Sequence, residues 1–400
     1  MSSWSFNRWI EVNTDALVHN LQEVRSLLKG NTRIIAVLKA EAYGLGAVET
    51  ARVLARHGVD YFAVSFVHEA VEMRRNGIEG SILVFSPASP VEARTALEQD
   101  LTLTVASLAD YQLLSTVTSG CNRRLRIHLK LDTGLGRFGL RQPEALEVAR
   151  LVQANGHLYL EGVYTHFAEA AARSPRYTFR QFTSFQKALR DMAREGIEIP
   201  IRHCCNSAAA LRFPAMHLDA VRIGTLLGGQ YPAGHVPTPL RLHNPYRFKA
   251  RVVAVRELPP GSYLGYYRTY RTPKPVRVAV VPVGFADGLG MEAVSRPGSL
   301  LDLLKIVAKL AGSYLNFKRL ALKVKLEGGD YLVRGKVFMQ FCLVEFPVGF
   351  PLKVGDVVEV PVKRTLAARD VARIYLQGGT PASVEVTEKR TASVSEEVSV

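Results

Sequence analysis

The sequence predicts an α/β chain in which an N-terminal (β/α)8 TIM barrel is followed by a C-terminal all-β domain. Three observations carry this reading. Eight short apolar, β-branched runs alternate with stretches of helical spacing over the first 240 residues, the pattern of parallel strands joined by helices. The runs are almost continuously apolar, as expected of a sheet covered on both faces. Beyond Gly228 the texture changes to short alternating strands punctuated by Pro and Gly, as in a compact all-β module. A doubly wound open sheet is the alternative for the first part.

Taken in order, Thr14 is a candidate N-cap for the helical stretch DALVHNLQEVRSLLKG. The first apolar run, IIAVL (34–38), leads into the helical AVETARVLARHG (47–58), and YFAVSF (61–66), ILVF (82–85) and LTLTVA (101–106) follow. LRIHLKL (125–131) and LEGVYTHF (160–167) flank the helical PEALEVARLVQANG (143–156). The longest helical pattern, 176–196, separates these from IRHCCN (201–206) and LDAVRIG (218–224). Eight runs is the number that closes a barrel. Residues 1–240 are assigned to the barrel, with the first residues free to pair with the β domain. The β domain is assigned to 241–378, interrupted near 299–320 by a helical insertion with a basic side. The stretch 379–400 is Ser/Thr/Val/Glu-rich without aromatics and is expected to be a disordered tail.

Composition narrows the function. An apolar fraction of 48% with 22% charged residues is ordinary for a soluble protein, and no run approaches the ~20 apolar residues that cross a bilayer. The N-terminus lacks an apolar export signal, and four cysteines fit neither a metal spacing nor a disulfide framework, so a cytoplasmic setting with no metal is expected. The formal charge of +15 is scattered, with no basic block and no aromatic-basic nucleic-acid motif, so neither nucleic acid nor membrane is expected as a partner.

Barrels of this kind place functional residues at the C-terminal ends of their strands. Lys39 directly follows the first run. Lys130 and Asp132 close the fifth, with Arg137 in the Gly-rich loop beyond. His166 ends the sixth, Asn206 and Ser207 follow the seventh, and Arg222 and Gly224 end the eighth. Five strand ends would thus aim ionisable or hydrogen-bonding groups at one mouth.

AVLKAEAYGLG (36–46) resembles the pyridoxal-phosphate (PLP) lysine signature of alanine racemases, usually A-V-x-K-A-N-A-Y-G-H-G. HLKLDTGLGRFG, VYTHFAEA, HCCNSAAAL, VRIGTLLGGQYP, LGYYRTY (264–270) and VPVGFADG (281–288) are similar to later motifs of that family, in the family's order, and the likeness runs from about Trp9 to Tyr375. The resemblance implies a PLP-dependent isomerase that interconverts L- and D-alanine and supplies D-alanine for peptidoglycan in the cell wall. It implies a homodimer whose active sites are shared between subunits. Lys39 would hold PLP covalently, and Lys39 and Tyr266, the latter from the partner subunit, would act as two bases on opposite faces of the substrate's Cα. Tyr43, Asn206, Ser207, Gly224 and Thr225 would surround the cofactor with His166, and Arg222 would face the pyridine nitrogen. Arg137 and the backbone of Met339 would hold the substrate carboxylate. Lys130 matches a lysine often carbamylated in the family. A free phenol titrates near ~10 and needs nearby positive charge to serve as a base; His166 with Arg222 is expected to supply it.

The pattern also breaks. Glu41 and Leu45 replace the usual Asn and His, Phe338 and Gln340 flank Met339 where Cys and Asp are common, and 357–370 contains no tyrosine where the family has a phosphate-side one. A wider entrance and a looser hold on PLP are therefore expected. The alternatives are a broad-specificity racemase of larger amino acids or a non-catalytic PLP-binding paralogue. The 299–320 insertion is either a self-association helix or a plain solvated insertion.

Overall fold

In the computed structural model, residues 6–385 are described apart from 234–235, 237–238, 293–299, 315–316 and 318–319. The chain divides into one unit of Thr14–Pro245 and another of Met1–Asn13 with Tyr246–Val400.

Within the first unit, eight parallel strands run β2 (Arg33–Val37), β3 (Tyr61–Val64), β4 (Ser81–Val84), β5 (Thr102–Val105), β6 (Leu125–Leu131), β7 (Leu158–Thr165), β8 (Ile201–His203) and β9 (Ala220–Ile223), after a first strand, β1 (Arg8–Asn13), that belongs to the other unit. From β2 to β8 each pairs with the next, and β9 pairs with β2. The gap between β8 and β9 is bridged by backbone bonds from Asp219 N to Arg202 O (3.1 Å) and Arg222 N to Cys205 O (3.0 Å), which complete the barrel. Helices such as Ala47–Arg56 and Arg176–Arg194 lie between strands, and Thr14 opens the helix Thr14–Leu27. Side chains alternate across a strand, so every second residue points into the barrel. Ile35, Val37, Tyr61, Ala63 and Leu83 form its apolar filling, and the same parity carries on to Lys39 at the mouth.

Polar side chains share the interior. Tyr61 OH donates to Glu161 Oε2 (2.6 Å), which also accepts from Thr102 (2.9 Å) and lies 3.1 Å from His128 Nε2. His128 Nδ1 meets His203 Nε2 at 2.9 Å, and His203 Nδ1 meets Arg222 Nη1 at 2.8 Å. A hydrogen-bonded column therefore climbs from Glu161 to Arg222.

In the second unit the further strands are β10 (Tyr246–Arg251), β11 (Ala254–Leu258), β12 (Tyr263–Leu264), β13 (Tyr270–Arg271), β14 (Val276–Val281), β15 (Lys323–Leu326), β16 (Gly329–Arg334), β17 (Cys342–Phe346), β18 (Val357–Val360), β19 (Arg373–Gln377) and β20 (Thr380–Glu385). All but the β12–β13 hairpin join one ten-stranded sheet, in which β1 lies between β10, antiparallel, and β19, parallel. The insertion forms the helix Leu300–Tyr314. The expectation of disorder from 379 fails for Thr380–Glu385, which pair antiparallel with β19. Its cause is local: Gly378 and Gly379 take the positive φ of a tight hairpin turn, and Tyr375 OH donates to Glu385 Oε2 (2.7 Å) across the pair. The rest of that stretch, 386–400, lies outside the described residues.

Candidate active site

At the C-terminal mouth of the barrel lies a cavity of about 330 Å³, lined by Lys39, Tyr43, Lys130, Arg137, His166, Asn206, Ser207, Arg222, Gly224 and Thr225, together with Val37, Phe85, Tyr164, Ala208 and Pro232. Ten of the twelve residues that the resemblance assigns to the site thus surround one space. A larger open depression of about 620 Å³ lies at the opposite end of the strands, but its Arg33 and Asp219 are already ion-paired, to Asp60 (3.0 Å) and Arg202 (2.6 Å). The chemistry converges on the smaller cavity.

Lys39 owes its position to an unusual turn. Ala40, Glu41, Ala42 and Tyr43 all have left-handed backbone angles, with φ between 49° and 58°, a conformation that costs roughly 1–2 kcal/mol per non-glycine residue. The turn is held from outside: Ala40 N–H donates to Glu69 Oε1 (2.6 Å), and Glu41, which stands where the family has Asn, accepts from Ala47 N–H (3.1 Å). Tyr43 is thereby folded back against the end of β9, and a Cβ on Gly224 would lie 2.5 Å from its hydroxyl. Burial lowers the pKa of Lys39 and the Arg137 guanidinium lowers it further, against a smaller opposing pull from Glu69.

Arg222 is buried and fully engaged. Besides His203, its guanidinium donates to Thr165 O (2.7 Å), Cys204 O (3.1 Å) and His203 O (3.2 Å), and Nη2 lies 3.4 Å from His166 Nδ1. Burial pushes its pKa down, but a guanidinium starts high enough to stay charged. His166 is different: burial, then the charges of Arg222, Arg137, Lys39 and Lys130, hold it at about 3. It is uncharged at neutral pH. The expectation that His166 supplies positive charge is therefore corrected, because four neighbouring cations forbid a fifth.

Lys130 Nζ is buried, has no hydrogen-bond acceptor among the described residues, and sits 3.3 Å from the centre of the Phe138 ring. Desolvation first, then Arg137 and Arg222, lower its pKa to about 7. Asn206 caps the helix Ser207–Arg212 by accepting from Ala209 N–H (3.0 Å), and Ser207 Oγ accepts from Gly224 N–H (3.2 Å), which ties the loops after β8 and β9 together. Among the described residues no group of His, Cys, Asp and Glu is arranged to hold a metal.

The remaining two residues belong to the other unit. Tyr266 stands in the turn Tyr266–Arg268 between β12 and β13, 63% exposed. Its ring meets Phe338 edge-on at 4.9 Å, and the carbonyl of the adjacent Met339 accepts from Ala286 N–H (2.9 Å). Tyr270 OH donates to Glu345 (2.5 Å), anchoring the hairpin behind its tip. Sequence reasoning missed Tyr164, Phe85 and Val37. Tyr164 lies two residues before His166 on β7, so the two-residue period already pointed it inward.

Comparison with known proteins identifies the family. Residues 12–232 match the family described as alanine racemase, N-terminal domain, and 246–377 the alanine racemase, C-terminal domain. "Alanine racemase 1" of Caldanaerobacter subterraneus is 34% identical over 88% of this chain and 84% of its own. "Alanine racemase 1" of Oceanobacillus iheyensis is 38% identical over 70% and 75%. Among solved structures, alanine racemase of Clostridium difficile 630 superposes with a TM-score of 0.85 at 28% identity, over 96% of this chain and 99% of that one. The Bacillus anthracis alanine racemase with bound L-Ala-P gives 0.83 at 26%, over 96% and 99%.

Proposed function

This chain belongs to the alanine racemase family, and from that premise we propose how it works, with PLP in the barrel-mouth cavity and a second copy of the chain completing the site. It interconverts L- and D-alanine. One observation carries the cofactor assignment: Lys39, Lys130, Arg137 and Arg222 line the cavity and, among the described residues, no carboxylate does. Such a lining suits a ligand with strong negative charge, and PLP with an amino acid brings a phosphate and a carboxylate. The cradle made by Gly224 against Tyr43, with no room for a Cβ, fits a close approach of backbone to a phosphate. When bound, PLP withdraws electrons from the amino acid and makes its Cα proton acidic.

The residues then divide the work. Lys39 would hold the cofactor covalently, with Tyr43, Asn206, Ser207, Gly224 and Thr225 around the phosphate and Arg222 against the ring nitrogen. Arg222 keeps its own proton and so would leave that nitrogen unprotonated, tempering the ring's pull. Arg137 and the backbone of Met339 would take the carboxylate. Racemisation requires a proton to leave one face of Cα and arrive on the other. With its pKa lowered, Lys39 Nζ exchanges a proton more readily near neutral pH. Tyr266 OH, exposed on the other unit, is the group for the opposite face, presented by the partner subunit. Lys130, near 7, keeps a neutral amine fraction able to add carbon dioxide and release one N–H proton to solvent, and the resulting carbamate would pair with Arg137. The setting in the cell is the cytoplasm, supplying D-alanine for peptidoglycan.

A racemisation assay on alanine, serine, lysine and arginine, with added PLP, is the test. Alanine is expected to turn over fastest, and Lys39→Ala to lose both activity and the bound-cofactor absorbance. Retained activity in Lys39→Ala would overturn the proposal. Tyr266→Phe is expected to slow proton exchange selectively in one direction. Because 357–370 carries no tyrosine, PLP is expected to dialyse away, and full retention through dialysis would remove the looser hold.

A further inference from the structure

The helix Leu300–Tyr314 wears its apolar side outward. Leu301 is 69% exposed, Leu304 55%, Val307 53% and Leu310 65%, and Leu300 and Leu303 are exposed with them. At 100° per residue the apolar side chains sweep an arc of roughly 220°, which leaves a strip bearing Asp302, Lys305 and Lys309. That strip is tied to its own unit at Lys309. Lys309 Nζ reaches both carboxylate oxygens of Glu292 at 2.7 Å, and Glu292 also lies 3.6 Å from Lys363. Phe317 N donates to Gly312 O (2.9 Å), and Phe317 and Leu320 are exposed as well. Soluble proteins rarely leave so large an apolar surface uncovered.

We propose that this helix lies in the surface of an anionic lipid bilayer and seats the enzyme reversibly on a membrane. Three features favour lipid over a second copy of the chain. A helix–helix seam covers about two positions in seven, whereas an arc of this width needs a medium that flows around it. Among the described residues three lysines border the arc against two acids: Lys305, whose side chain is 79% exposed and lies 3.9 Å from Asp302, and Lys309 and Lys363, which flank Glu292. Fifteen residues span about 22 Å, too short to cross a bilayer and suited to lying in its plane. The expectation from composition that no membrane is involved rests on the absence of a basic block, a test blind to a patch assembled by folding.

The full-length enzyme loaded with PLP is centrifuged with vesicles of phosphatidylglycerol and phosphatidylcholine, and with phosphatidylcholine alone. Binding to the anionic vesicles is expected, at least about tenfold tighter than to the neutral ones. The double variant Leu304→Glu, Val307→Glu should lose more than about tenfold of that binding while its circular dichroism and melting match the parent's. Lys305→Gln should weaken anionic binding about fivefold and leave neutral binding alone. No binding by the parent overturns the proposal, as does undiminished binding by the double variant, which would leave net charge as the cause. It is also overturned if, without lipid, the parent sediments as an assembly larger than a dimer that the double variant reduces, for then a second copy covers the helix.

Discussion

Arg222 shows how one buried side chain can serve both fold and chemistry. Three carbonyls and one imidazole nitrogen depend on its donors. Arg222→Ala would strand them in a water-poor interior, where each unsatisfied group costs ~1–3 kcal/mol. A loss of about 3 kcal/mol in urea unfolding is expected alongside lost activity, and an unchanged midpoint would contradict the hydrogen-bond assignment. Gly224→Ala tests the opposite wall. The new Cβ would meet Tyr43 at 2.5–2.8 Å, so Tyr43 must swing away, and PLP affinity by fluorescence titration should fall roughly tenfold with little change in melting. At this scale the sequence spoke clearly where polarity interrupts an apolar run: Lys39, His166 and Arg222 each stood out at a strand end. The charge state of His166 did not, since it depends on four cations drawn from three distant segments.

The element that aims Lys39 left no trace in composition. Ala-Glu-Ala-Tyr is a good run for an ordinary helix, and only packing against Glu69 and the barrel holds it left-handed. Glycine accepts that conformation without strain, so Ala40→Gly should lack the loss of ~1 kcal/mol it brings to an ordinary helix; a clear drop in stability would argue against the left-handed turn. The strands were legible to within a few residues because β-branched apolar runs declare themselves, whereas β20 was missed because TPASVE has no apolar run and pairs through one hairpin. The interior column has its own signature. His128, His203 and His166 are all held below 6.5, chiefly by burial. Each takes up its proton at lower pH when folded than when unfolded, so the stability they permit is full above 6.5 and lost as pH falls below it, toward about 3 for His166. Stability should therefore be level from pH 8 to 7 and drop between 6.5 and 5, by up to ~1.4 kcal/mol per pH unit from His166 alone. A flat profile would mean that these rings are charged in the native state.

For the whole molecule, the decisive question is which chain supplies Tyr266. Lys39→Ala and Tyr266→Phe proteins, each nearly inactive, can be mixed, unfolded and refolded together. If sites are shared, hybrid dimers own one intact site, and up to roughly a quarter of parental activity should return. If each chain builds its own site, none will.

The first strand, β1, is sandwiched in its sheet between β10 and β19. During synthesis it leaves the ribosome before the barrel, yet β19 emerges only after the barrel sequence has passed. At ordinary translation speeds that delay is on the order of tens of seconds. The nascent chain must carry RWIEVN, a ready-made partner for any stray strand edge, through the whole interval. Trimming these few residues would remove not a loose end but the seam of the second sheet, and a stalled ribosome would release a finished barrel trailing an unmatched ribbon.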